Sequence, residues 1–191
     1  MELLKQRIEQ DGQIIGTEIL KVDSFLNHRI DTKFLEQIGA EFRRRFDDVA
    51  SGIDSIITVE ASGIAVACFT ARFFDEVPVI FAKKQKPNTM NSDYFTAKVE
   101  SFTKNQTSNI CIAKKYIKKK DTVLIIDDFL AHGNAALGLA EIAGQSGATV
   151  AGIGIVIEKS FQGGAQKIRD AGYRLESLSA IKEMKDGKVY F

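Results

Sequence analysis

The stretch Val123-Leu124-Ile125-Ile126-Asp127-Asp128-Phe129-Leu130-Ala131-His132-Gly133-Asn134-Ala135 decides the fold of this 191-residue chain. It begins with a continuous apolar, mostly β-branched run, which reads as a strand buried on both faces. The strand is expected over residues 122–126, with Asp127 and Asp128 at its carboxyl end. A loop of small residues follows, and a helix is expected over residues 133–146. Such a loop and helix start present N–H groups without helical partners at the positive end of a helix dipole, which suits a phosphate dianion. Gly133 lets the backbone approach a ligand closely, and Ala131 and Ala135 keep side chains out of the way. Adjacent carboxylates can accept hydrogen bonds from two sugar hydroxyls. On the residues alone, the segment is either a site for a phosphorylated sugar or an ordinary strand–turn–helix with acids at a sheet edge.

Outward from it the same alternation repeats. Residues 55–59, 77–82 and 149–157 read as apolar strands, and residues 63–74 and 163–171 as helices. Continuous Val/Ile runs alternating with helices predict an α/β fold, with a largely parallel central sheet covered by helices on both faces. Ligands of such sheets sit beyond the carboxyl ends of the strands, so the residues after Val59, Ala82, Ile126 and Ile157 should line one site. Residues 94–102 and 109–113 read as strands joined by a polar turn, and residues 83–93 as a loop. Towards the N-terminus, residues 1–10 have a helical pattern and residues 14–27 form a short, mixed, extended piece. Asp31 or Thr32 should cap a helix running to about Asp48, with Phe34, Leu35, Ile38, Phe42 and Phe46 along one stripe.

Composition limits the function classes. Apolar residues make up 45% of the chain, enough for a sizeable core. Lys and Arg total 26 against 25 Asp and Glu, so no global field attracts nucleic acid or an anionic membrane, and any anion site must be local. No apolar run approaches the ~20 residues of a membrane span, and no leader-like N-terminal pattern is seen. A cytoplasmic location is the expectation. The two cysteines, Cys68 and Cys111, lie in apolar runs and read as reduced core residues.

The apolar strand, acid pair and small-residue loop around Gly133 resemble the phosphoribosyl pyrophosphate (PRPP) motif of the type I phosphoribosyltransferases. The resemblance implies that Asp127 and Asp128 hold the ribose hydroxyls, and that Ala131, His132, Gly133, Asn134 and Ala135 wrap the 5-phosphate. Many members have Thr-Gly where this chain has His132-Gly133, so the phosphate contacts are expected from the backbone. The His132 imidazole is then either a further donor or a solvated loop residue. Glu60-Ala61-Ser62-Gly63-Ile64 resembles the pyrophosphate loop of the same family, in which a non-proline cis peptide turns N–H groups toward the diphosphate. By that resemblance Ala61, Ser62 and Gly63 bind PRPP; on the residues alone, Ser62 reads equally as a helix cap. Lys83-Lys84-Gln85-Lys86 opens a polar stretch after a strand. The resemblance implies a loop that closes over the substrate, with one basic residue reaching the other subunit of a homodimer. Lys84 is the candidate catalytic lysine, with Lys83 and Lys86 as alternatives; a solvated lysine cluster is the plainer reading.

The base remains. Glu158-Lys159-Ser160-Phe161-Gln162 follows the strand over residues 149–157. A lysine there can donate to a purine O6, and Phe129 or Phe161 can stack on the ring. Together with Leu20-Lys21-Val22-Asp23-Ser24-Phe25-Leu26-Asn27-His28, these motifs resemble the bacterial purine-salvage members of the family that act on xanthine, along the whole chain. That implies a single domain, with residues 1–50 forming a hood over the base, aided by the C-terminal tail. Residues 51–160 form the PRPP-binding core and residues 161–191 the C-terminal part. It also implies that Leu20 and Asn27 contact xanthine, with Lys159 on the opposite side, and that Mg²⁺ accompanies PRPP. Such an ion would have few protein ligands, and Asp127 and Asp128 would reach it through water. Without the resemblance, Leu20 reads as core, Asn27 as a turn residue and Lys159 as a surface partner of Glu158. Two alternatives stay open: an enzyme for guanine or hypoxanthine, and a PRPP-sensing regulator on the same fold.

Overall fold

Val123 and Ile125 face one layer of the core while Leu124 and Ile126 face the other. This alternation is that of a strand with both faces covered. It holds in a computed structural model that describes residues 1–84, 93–101 and 106–191. In chain order the elements are α1 (Glu2–Asp11), β1 (Gln13–Ile15), β2 (Ile19–Lys21), a π-helical turn (Asp23–Asn27), α2 (Thr32–Arg45), β3 (Ser55–Val59), α3 (Ser62–Ala71) and β4 (Val79–Ala82). They continue with β5 (Tyr94–Ser101), β6 (Gln106–Ala113), β7 (Thr122–Leu130), α4 (Asn134–Ser146), β8 (Thr149–Lys159), α5 (Gly164–Asp170), β9 (Leu175–Ile181), β10 (Glu183–Lys185) and β11 (Lys188–Tyr190).

The central sheet has the order β4-β3-β7-β8-β9, and every pairing in it is parallel. On one face, side chains of α1, α2 and α3 pack against Ile56, Leu124, Ile126 and Val156. On the other, α4, α5 and the β5–β6 hairpin pack against Ile57, Val123, Ile125, Ile153 and Ile155. The chain leaves β3 toward β4 on one side and returns to β7 on the other. The gap beyond the carboxyl ends of β3 and β7 is therefore a topological switch point, where such sheets bind ligands.

Helix α2 has the expected cap, because the N–H of Phe34 donates to Asp31 Oδ1 over 3.1 Å. Its apolar stripe is buried, and Phe46, just past its end, is buried with it. Near its C-terminus Glu41 accepts from Arg44 and Arg45, chiefly from Arg44, and its carboxyl is pushed down to about 2. Arg45 also reaches Glu176 and the carbonyl of Ser177, fastening α2 to β9. Two small antiparallel hairpins, β1–β2 and β10–β11, flank the domain.

Several expectations change. Strand β7 does not stop at Ile126 but runs through both acids to Leu130. Strand β8 extends alongside it and supplies partners as far as Leu130↔Glu158, so the ladder overrides the poor strand propensity of Asp. Strand β6 begins at Gln106, earlier than the expected 109. Cys68 is exposed on α3 and only Cys111 is buried; neither forms a disulfide. Helix α3 is apolar on all sides, so its sequence does not tell the covered face from the open one. Among the described residues no helix is long and apolar enough to cross a membrane.

Candidate active site

A cleft of about 670 Å³ opens beyond the carboxyl ends of β3, β4, β7 and β8. Residues 59–63 and 127–136 line it, together with Lys84, Lys159 and Gln162. The sequence-derived phosphate, diphosphate and base segments therefore meet at one place.

At its floor are the two acids. Asp127 is buried, and its Oδ1 accepts the N–H of Asp128 over 3.0 Å. Gly63, the second residue of α3, lies directly against it. A Cβ there would fall 2.2 Å from Thr58 Oγ1 and 2.5 Å from Asp127 Oδ1, so only glycine lets the helix start this close to the acid. Burial pushes the Asp127 carboxyl well above the usual carboxylate range, the charge of Asp128 adds to this, and Lys84 works against it. Burial raises Asp128 as well, opposed by hydrogen bonds from Asp127 and neighbouring backbone and by Lys84.

Lys84 is placed by Glu60. Its backbone N–H donates to Glu60 Oε1 over 2.6 Å, and the N–H of Glu60 in turn donates to the carbonyl of Ala82. Lys83 exchanges two backbone hydrogen bonds with Cys111 of β6, which steadies the same corner. The peptide Glu60–Ala61 is cis, as the resemblance implies. Ser62 is the first residue of α3 and does not cap it: the cap position is Ala61, with no side-chain bond. Lys86 lies outside the described residues, as does most of the expected 83–93 loop.

After β7 the chain turns sharply into α4. Gly133 takes a left-handed conformation, φ +83°, and precedes α4, whose start carries no side-chain cap. The N–H of Gly164, at the start of α5, donates to the carbonyl of Ala131 over 3.1 Å. His132 Nδ1 lies 3.1 Å from the carbonyl of Gln162. Ala131, Asn134 and Ala135 complete the rim.

On the base side, Lys159 Nζ donates to the carbonyl of Glu18 over 2.6 Å and sits 5.6 Å from the Phe129 ring centroid. Half-burial lowers the ammonium from its ordinary value. Lys159 does not pair with Glu158, which is buried and accepts from Ser160 Oγ and Ser177 Oγ instead. Asn27 Nδ2 donates to Asp128 Oδ2 over 2.9 Å. Leu20 is buried in the apolar layer beneath the β1–β2 hairpin, while its neighbours Glu18 and Ile19 line the cleft. Phe161 is 40% exposed and off the cleft wall, which leaves Phe129 as the aromatic beside Lys159. Among the described residues no three His, Cys, Asp or Glu side chains gather as a metal cage.

Some lining residues escape a sequence reading. Glu18 contributes a backbone carbonyl, which any residue could supply. Val99 and Ser108 arrive from the β5–β6 hairpin by packing alone. Gln162 sits within a quoted motif, but its pairing with His132 depends on how the turn after β8 folds back.

Comparison with known proteins agrees with this geometry. The family model described as phosphoribosyl transferase domain matches residues 29–185. A xanthine phosphoribosyltransferase from Clostridium novyi is 52% identical over 191 residues, covering 100% of this chain and 99% of the relative. One from Ruminiclostridium cellulolyticum is 51% identical over 191 residues, covering 100% of this chain and 99% of the relative. Among solved structures, adenine phosphoribosyltransferase from Trypanosoma brucei, in complex with AMP, pyrophosphate and ribose-5-phosphate, superposes with a TM-score of 0.75 at 16% identity. That match covers 93% of this chain and 79% of the other, and at such identity it speaks for the fold alone. With a family model spanning most of its length and full-length relatives at half identity, the chain belongs to the phosphoribosyl transferase domain family.

Proposed function

We propose that this protein transfers the 5-phosphoribosyl group of PRPP to xanthine, giving XMP and diphosphate in purine salvage. The observation that carries the reading is the convergence, in one cleft, of the Asp127–Asp128 pair, the uncapped start of α4, and Lys159. Xanthine as the base draws its support from the full-length relatives named for it and from Lys159, whose ammonium donates where a 6-oxopurine has an acceptor.

In this reading the backbone from Ala131 to Ala135 binds the 5-phosphate, and Asp127 and Asp128 accept from the ribose hydroxyls. Ala61, Ser62 and Gly63 hold the diphosphate, and Lys84 neutralises it as it leaves. A purine nitrogen attacks ribose C1 as the C1–oxygen bond breaks, with inversion, through an oxocarbenium-like transition state. The protein's share is positioning the reactants, balancing charge on the diphosphate and excluding water. Leu20, Asn27, Lys159 and Phe129 form the base subsite; Leu20 acts from beneath, shaping the hairpin that carries Glu18 and Ile19.

The acid pair suits a divalent cation brought in with the diphosphate. Two desolvated carboxylates raised from their ordinary values lack full charge compensation from Lys84. Mg²⁺, held by Asp127 and Asp128 through ribose hydroxyls or water, would supply electrostatic stabilisation of the departing diphosphate. Residues 1–50 act as hood, residues 51–160 as PRPP-binding core, and residues 161–191 close the sheet and support the hood. A homodimer, with a lysine of the 83–86 run serving the neighbouring subunit, belongs to the same proposal, and sedimentation at micromolar concentration checks it.

Purified protein with PRPP, Mg²⁺ and xanthine is expected to yield XMP and diphosphate in a one-to-one ratio. Failure to form a nucleotide from any purine would overturn the proposal.

A further inference from the structure

We infer that Asn27 is a positioning residue for Asp128, so that the N-terminal segment prepares the ribose subsite as well as the base subsite. The inference rests on the proposed reaction, because it concerns how PRPP is received.

The two acids are fixed in different ways. Asp127 is buried against Gly63 and bonded to the N–H of Asp128, so packing leaves its carboxylate little freedom. Asp128 is half-buried and borders the cleft. Its Oδ2 accepts from Asn27 Nδ2, a residue 101 positions earlier in the chain, over 2.9 Å. That bond reaches the acid from outside β7 and adds a contact from a distant element to those made by Asp127 and neighbouring backbone.

Asn27 is itself well held. It ends the turn Asp23–Asn27, whose Phe25 and Leu26 are fully buried. The turn is closed by backbone bonds from Arg29 to Asp23 and from Asp31 to Phe25. Asn27 Oδ1 is buried without a hydrogen-bond partner among the described residues, so the bond to Asp128 is what orients the amide. A carboxylate locked before the ribose arrives spares the ordering entropy that a free one would lose on binding.

The test measures PRPP affinity with Mg²⁺ and no base, by calorimetry, in wild type, Asn27→Leu, Asp128→Ala and the double variant. Leucine keeps the branched skeleton of Asn27, at a somewhat larger volume, and removes the donor. Asn27→Leu is expected to weaken PRPP binding roughly 10- to 100-fold, the scale of one hydrogen bond to a charged group. In the Asp128→Ala background the same change is expected to have less than about a twofold effect, since the interaction it removes is already gone. An Asn27→Leu protein that binds PRPP like wild type, with only its KM for xanthine raised, overturns the inference. So does equal weakening in both backgrounds, which would mark a general disturbance of the turn. A wild type that binds no PRPP would sink the proposed reaction and this inference together; an unchanged Asn27→Leu sinks the inference alone.

Discussion

Lys159 Nζ donates to the carbonyl oxygen of Glu18, binding the end of β8 to the loop between β1 and β2. The ammonium that the proposed reading aims at a purine oxygen is thus held by the hairpin beside it. On that reading a base would have to take over this hydrogen bond, which would link hairpin position to base binding. Lys159→Met removes both interactions. It is expected to lower kcat/KM for xanthine roughly 10- to 100-fold, the scale of one charge-assisted hydrogen bond, with base-free PRPP affinity within about twofold of wild type. Hydrogen exchange at residues 13–21 should become faster in the same variant. Unchanged exchange would mean that Lys159 does not hold the hairpin.

The burial of Asp127 costs stability at neutral pH. Its folded-state pKa is raised well above the unfolded value near 3.8, so between the two values the native state holds more protons than the unfolded state. Stability therefore falls as pH rises through that window. Asp127→Asn removes the penalty. It is expected to melt roughly 2–6 °C higher than wild type at pH 8, taking about 1–2 kcal/mol of relief, with the gain disappearing near pH 3. Activity should be lost. A variant that melts lower at pH 8 would contradict the burial account.

Gly63→Ala tests the close approach of α3 to the acid. The added methyl collides with Thr58 Oγ1, in a fully buried side chain, and with Asp127 Oδ1. The helix start or the acid must shift, at a cost of about 1–3 kcal/mol, the usual scale of overpacking. Thermal melting should report that loss, and PRPP affinity should fall with it. Unchanged affinity would separate the acid from the sugar.

Glu60→Ala frees the backbone of Lys84, whose N–H loses its carboxylate acceptor. A fall in kcat of roughly tenfold is expected, again the scale of one such bond, with KM for xanthine little changed, because in the proposed reading the lysine serves the diphosphate rather than the base. A rise in the KM for xanthine with kcat intact would place Glu60 in the base subsite.

The parts of this site that were legible in the sequence are those set by local chain chemistry. Ser55–Val59 stands where its apolar run predicts, and Gly133 precedes α4 as its small-residue loop implies. The acids were legible as residues but not as strand positions, because β8 supplies their ladder partners from across the sheet. Nothing in the pattern of residues 172–191 marked β9, which completes the sheet by pairing with β8. The bond from Asn27 to Asp128 spans 101 residues, and that from Lys159 to a backbone carbonyl spans 141, so neither leaves a local signature. Cys68 read as core because α3 is apolar all round, and only tertiary packing selects its open face.

Whether this cleft joins PRPP to xanthine is decided by steady-state kcat/KM for xanthine, guanine, hypoxanthine and adenine, each with saturating PRPP and Mg²⁺. Xanthine is expected to give the highest value and adenine the lowest, since the Lys159 ammonium would meet an oxygen in one and an amine in the other. A preference for adenine would contradict it.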